Sequence, residues 1–112
     1  MAVVVLASAA AIQIGCRGRA ELTPQETEGK HLYMVRCEHC HDENDLGLKP
    51  PPPKLHGVMA RRKLPSGAAA TDDAVRGVVL MGKGKMPSFA GRFSEEQMAA
   101  LLAYLRTAMP LQ

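Results

Sequence analysis

Residues Cys37 to His41, the stretch CEHCH, gather two of the three cysteines and two of the four histidines of a 112-residue chain. Thiols three positions apart near a helix end can each add to one of the two vinyl groups of a haem. The residue that follows then lies under the iron, where an imidazole nitrogen can coordinate it. Three other chemistries use only part of the cluster. A thioredoxin-type pair expects a preceding strand and a βαβ context, and the sequence shows neither. A zinc site wants a second ligand pair, which His31, His39 and His56 do not supply by their positions. A disulfide between Cys37 and Cys40 leaves His41 without a role. Covalent attachment of one haem c uses all three residues, with His41 as an axial ligand of the iron.

Iron held in this way takes a second axial ligand, and Met59, Met81 and Met86 lie downstream. Met86 is the best placed of them. Pro87 forces it into an extended conformation, and Gly82 and Gly84 let the backbone come close to the ring. Met81 falls at the end of a helix and reads as core filler, while Met59 sits in a basic loop with no positional argument. Leu55, Val79, Leu80, Phe89 and Leu102 are candidates for the apolar lining that keeps water off the ring, a role that ordinary core packing describes equally well.

These residues need elements to position them. The run from Thr23 to Cys37 reads as a helix: Thr23 can cap it, Pro24 suits the first helical position and Glu26 completes a capping box. From Asp42 to Ser66 the four prolines Pro50 to Pro53, with Gly47, Gly57 and Pro65 around them, leave no regular helix or strand. Thr71 then caps a short helix that opens with Asp72 and Asp73, runs to about Met81 and stops at Gly82. Ser94 begins the last helix with Gln97 as its capping-box partner, and Met98, Leu101, Leu102, Leu105 and Met109 make one apolar stripe along it. The fold class expected is all-α, three to four helices with long loops wrapped around the haem; loops of this length signal function or a bound group.

With these residues in view, the chain resembles the class I c-type cytochromes, in particular the single-haem bacterial domains, over roughly residues 29 to 107. The resemblance rests on Cys37-Cys40-His41, on Met86-Pro87 within GKGKMPSF, and on the terminal amphipathic helix FSEEQMAALLAYLRT. In that family a glycine and an aromatic precede the haem motif, here Gly29 and Tyr33, and Tyr104 of the last helix crosses the first helix near Gly29. The family's Pro-x-Leu-x-Gly stands as Pro53-Lys54-Leu55-His56-Gly57. By this resemblance the carbonyl of Pro53 accepts the ring N–H of His41 and raises its basicity. The sequence departs from the family in two places: Asp42 stands where a glycine commonly follows the haem histidine, and the prolines replace a more typical glycine-rich turn.

The rest of the composition bounds the function. The first fifteen residues carry no charge and have the length of a signal-peptide hydrophobic region rather than a membrane span. Residues 1–20 are therefore read as a signal peptide or lipoprotein-type segment, with Cys16 a candidate for lipidation, and residues 21–112 as the cytochrome domain. That places the domain in the periplasm or on the outer face of the membrane, tethered there if Cys16 or the apolar segment is retained. So small a domain, with no Trp, is a marginal source of core stability unless a bound group contributes. Beyond Arg19 the charge is nearly balanced, twelve bases against eleven acids. Between Asp45 and Asp72, however, Lys49, Lys54, Arg61, Arg62 and Lys63 meet no acid, and Lys83 and Lys85 add to them. Such a surface could steer an acidic redox partner to the exposed haem edge, whereas the lack of interleaved aromatics argues against nucleic acid. The function expected is electron transfer without catalysis, by a carrier or by the cytochrome subunit of a respiratory or dehydrogenase complex. A haem gas sensor or small peroxidase with a displaceable Met86 is the alternative.

Overall fold

The computed structural model describes residues 21–109; the N-terminal apolar segment and Cys16 lie outside the described residues. Among those residues the chain is helical, with isolated bridges at Lys63–Ala69 and Lys83–Met86 but no extended strand. Helix α1 spans Pro24–Arg36, α2 Glu38–His41, α3 Asp72–Met81 and α4 Glu95–Ala103. A 3₁₀ turn at Val58–Ala60 and a π-helical turn at Tyr104–Ala108 complete the set.

Each helix start follows from its cap. In α1 the Thr23 hydroxyl accepts from the Glu26 amide at 3.1 Å and the Glu26 carboxylate accepts from the Thr23 amide at 2.8 Å, so two otherwise orphaned donors are satisfied. Ser94 and Gln97 repeat the arrangement at α4. Thr71 caps α3 through the Ala74 amide, and Gly82, at φ 73°, ends it with its N–H on Val78 O. The helix expected to continue to Cys37 is interrupted there: Cys37 leaves helical geometry, and the chain restarts as the single turn α2.

The frame is the crossing of α1 over α4 and its π-helical continuation. Gly29 makes it possible. A Cβ at this position would stand 2.0 Å from the carbonyl oxygen of Ala100 and 2.7 Å from Tyr104 Cβ, so any side chain would force the helices apart. One turn further on, the rings of Tyr33 and Tyr104 meet at 5.6 Å with a 53° tilt, a favourable aromatic geometry. The apolar stripe of the last helix is buried throughout, from Met98, Leu101 and Leu102 to Leu105 and Met109. The wider π-helical turn carries that stripe past Tyr104 to Met109, whose carbonyl receives the Gly57 amide at 3.1 Å.

Val75 and Val79 of α3, Val58 and Leu64 of the long loop, and Phe89 close the cluster from the other side. At the surface, Arg76 holds the Glu95 carboxylate with both oxygens within 2.6 Å, and the Thr107 hydroxyl donates to Glu26. Exposed contacts of this kind, one joining α3 to α4 and the other the π-helical turn to α1, add little to stability. One expectation is corrected here. Met81, read as core filler, is 81% exposed; Gly82 ends the helix one residue later, so its last side chain projects beyond the packed layer.

Candidate functional site

The break at Cys37 and the turn of α2 set Cys37, Cys40 and His41 on one short arc, with the Cys40 and His41 amides both donating to the Cys37 carbonyl at 3.2 and 2.9 Å. The two thiols are not bonded to each other. Burial, reinforced by Cys40 and Asp42, pushes the Cys37 thiol up to about 11. A thiol so reluctant to ionise is a poor redox nucleophile at neutral pH, which argues against a thioredoxin-like use of the pair.

His41 Nδ1 lies 2.7 Å from the carbonyl oxygen of Pro53. A carbonyl can only accept, so Nδ1 carries the proton and Nε2 is left with its lone pair free. The tautomer, and with it the direction in which the ring can bind a metal, is fixed by the loop. Two further contacts lace the same segments together: Lys54 Nζ donates to the Asp42 carbonyl at 2.5 Å, and His56 Nε2 stands 3.5 Å from Asp42 Oδ2.

The segment after α3 folds back tightly. Lys83 and Met86 exchange backbone bonds of 3.1 and 2.9 Å across Gly84 and Lys85, with Gly84 at φ 57°. Gly82 is indispensable to this turn, because a Cβ there would lie 2.6 Å from Met86 O and 2.8 Å from Ser88 N. Ser88 Oγ donates to Leu80 O at 2.5 Å and the Phe89 amide to Val79 O at 3.0 Å. Met86 is thus held by a loop braced on α3, half-buried and packed against the apolar cluster. Lys85 Nζ reaches Lys49 O at 3.3 Å, which ties this loop to the proline-rich one. Lys85 therefore bridges two loops, while Lys83 is exposed.

Of the lining residues expected, Val79, Phe89 and Leu102 are in the buried cluster, and Leu55 and Leu80 are half-buried against it. Sequence reasoning missed Phe93, whose ring stacks on Phe89 at 5.7 Å, and undervalued Met59, which the 3₁₀ turn brings against the same cluster. It also gave no role to His56 and read Lys54 only as part of a basic docking surface. Their nearness to Asp42 depends on how the proline-rich loop returns, which spacing alone does not encode.

A family model described as cytochrome c oxidase, cbb3-type, subunit III matches residues 24–105. The chain belongs to this family. The match opens on the first residue of α1 and closes inside the π-helical turn, so it spans all four α-helices and both loops. No curated protein and no solved structure matches the chain significantly. A cytochrome domain of this kind binds a covalent c-type haem and works in haem-based electron transfer, as a carrier or within a complex. The residues present suit that group: two unpaired thiols, an imidazole whose free nitrogen is fixed by the Pro53 carbonyl, and a half-buried thioether beside an apolar cluster.

Proposed function

We propose that Cys37 and Cys40 hold the haem through thioether bonds and that His41, by Nε2, and Met86, by its sulfur, are the two axial ligands of its iron. Each S–H adds across one vinyl double bond, so the attachment needs no oxidant. When bound, the group supplies one-electron chemistry. The chain contributes the rest. Pro53 orients His41 and strengthens it as a donor; Gly82 and the Lys83–Met86 turn present the thioether; Leu55, Val79, Leu80, Phe89 and Leu102 keep water away. A thioether ligand raises the potential relative to two imidazoles. With His41 and Met86 both holding the iron, substrate and oxygen would have no open site, which supports a role without catalysis.

The observation that carries this reading is the His41–Pro53 bond of 2.7 Å, placed directly after two free thiols. The domain acts on the outer side of the membrane, with residues 1–20 as export signal or lipid-bearing tether at Cys16, either as a carrier or as a complex subunit. Its redox partner is acidic and meets the surface around Lys83 and Lys85. The test is to produce the chain in a host competent in cytochrome c maturation. Haem staining of the denatured chain and the weak methionine-to-iron absorption band are expected together. Haem without that band, together with fast, tight carbon monoxide binding in the ferrous state, would favour a sensor or peroxidase instead.

A further inference from the structure

Two polar side chains unused by the ligand arrangement are stranded beside it. Tyr33 is 2% exposed, yet its hydroxyl has no hydrogen-bond partner among the described residues. Oδ1 of Asp42 is buried and unpartnered in the same way. Burial first, and then the nearby Asp42 carboxylate, raise the Tyr33 phenol above its usual value, so the two groups stand close enough to interact directly. Both line one cavity of about 380 Å³, with Glu38, Lys54, His56 and Tyr104 around it. Neither haem-motif thiol, nor His41, nor Met86 lines this space.

The remaining atoms of Asp42 are engaged with one short segment. Its carbonyl takes Lys54 Nζ, and its Oδ2 faces His56 Nε2. Lys54 and His56 follow directly on Pro53, the residue that receives His41 Nδ1. Asp42 itself directly follows His41. The histidine and the acid beside it are therefore both laced to residues 53–56, and the side-chain half of that lacing is closed to the glycine common at this position in related domains.

We propose that Asp42 is a positioning residue for His41: it pins residues 53–56 behind the ligand, with its buried Oδ1 set beside the Tyr33 hydroxyl, and so holds the Nδ1–H···O=C bond in place. This rests on the reading of His41 as an iron ligand. A firm bond at Nδ1 makes the imidazole a stronger donor, and a carboxylate close by adds negative potential; both favour ferric iron.

The test uses the haem-loaded protein and two readouts, the midpoint potential and the hydrogen exchange of the His41 ring N–H followed by NMR. Asp42→Ala is expected to raise the potential and to speed the exchange about tenfold. Asp42→Asn keeps an oxygen beside the Tyr33 hydroxyl and His56; it should raise the potential by less and keep exchange within about twofold of the parent. An Asp42→Ala protein that loses thermal stability alone, with parental potential and exchange, overturns the inference. If that variant does not mature, His56→Leu takes its place: the same shifts in smaller measure support the proposal, and unchanged readouts overturn it. A parent chain without covalent haem sinks the ligand assignment instead, whereas a normal parent with an indifferent Asp42 sinks this inference alone.

Discussion

The crossing of α1 over α4 and the long loop between α2 and α3 are built by opposite means. In the crossing, side chains do the work: Tyr33, Met98 and Leu101 are almost wholly buried, and the two backbones touch at Gly29. From Asp42 to Thr71 only Gly57, Val58 and Leu64 are buried, and the shape is held by isolated bonds such as His41 to Pro53 and Asn44 to Leu48. Packed apolar area is a cooperative source of stability, while scattered loop hydrogen bonds add little net. The helical frame is thus held by its packing and the loop by what it encloses, and in a domain this small neither suffices without the bound group.

The sharpest way to break this contrast is to remove the haem anchors. A Cys37→Ser, Cys40→Ser double variant is expected to be largely unfolded by circular dichroism, because in a domain this small the binding energy of the group is folding energy. A cooperative, native-like transition in that variant would show that the frame needs no partner. Gly29→Ala attacks the frame itself and should cost about 3 kcal/mol in chemical denaturation, since the new methyl meets backbone that cannot yield. If it costs less than about 1 kcal/mol, the close crossing is not what holds the helices.

Substitutions in the loops are expected to change the iron more than the fold. Met86→Leu should lower the potential and open the iron to carbon monoxide with little loss of thermal stability, whereas Met81→Leu, at an exposed position, should do neither. A smaller effect belongs to Glu26, whose carboxyl the Thr107 hydroxyl and then the Thr23 amide hold below its usual 4.5. A depressed folded-state value means stability that is present above the unfolded pKa and lost as the pH falls through the folded one. The stability advantage over Glu26→Gln should therefore be full at neutral pH and vanish once the pH falls below the lowered folded-state value; an advantage that persists at still lower pH would contradict the contact. Smallest of all, charge reversal at Lys83 should slow electron transfer to an acidic partner at low salt and matter little at high salt.

Much of the frame was legible because local rules and packing agree there. Thr23, Thr71 and Ser94 cap the helices they announce, and the stripe from Met98 to Met109 faces the core as its spacing requires. The close approach at Gly29 and the bond from His41 to Pro53 came from family resemblance rather than from spacing, and the geometry bears both out. Met81 misled because helical periodicity does not say where a packed layer ends. The Asp42 lacing was hidden for a related reason: Lys54 and His56 reach it through a loop with no periodicity, closed by contacts 12 and 14 residues apart.

The most direct test of the ligand arrangement is proton NMR of the reduced protein, in which a methionine methyl bound to haem iron is driven far upfield by the ring current. The proposed ligation predicts one such signal, lost in Met86→Leu and kept in Met59→Leu. Its survival in Met86→Leu, or its absence from the parent, would contradict the assignment of Met86 opposite His41.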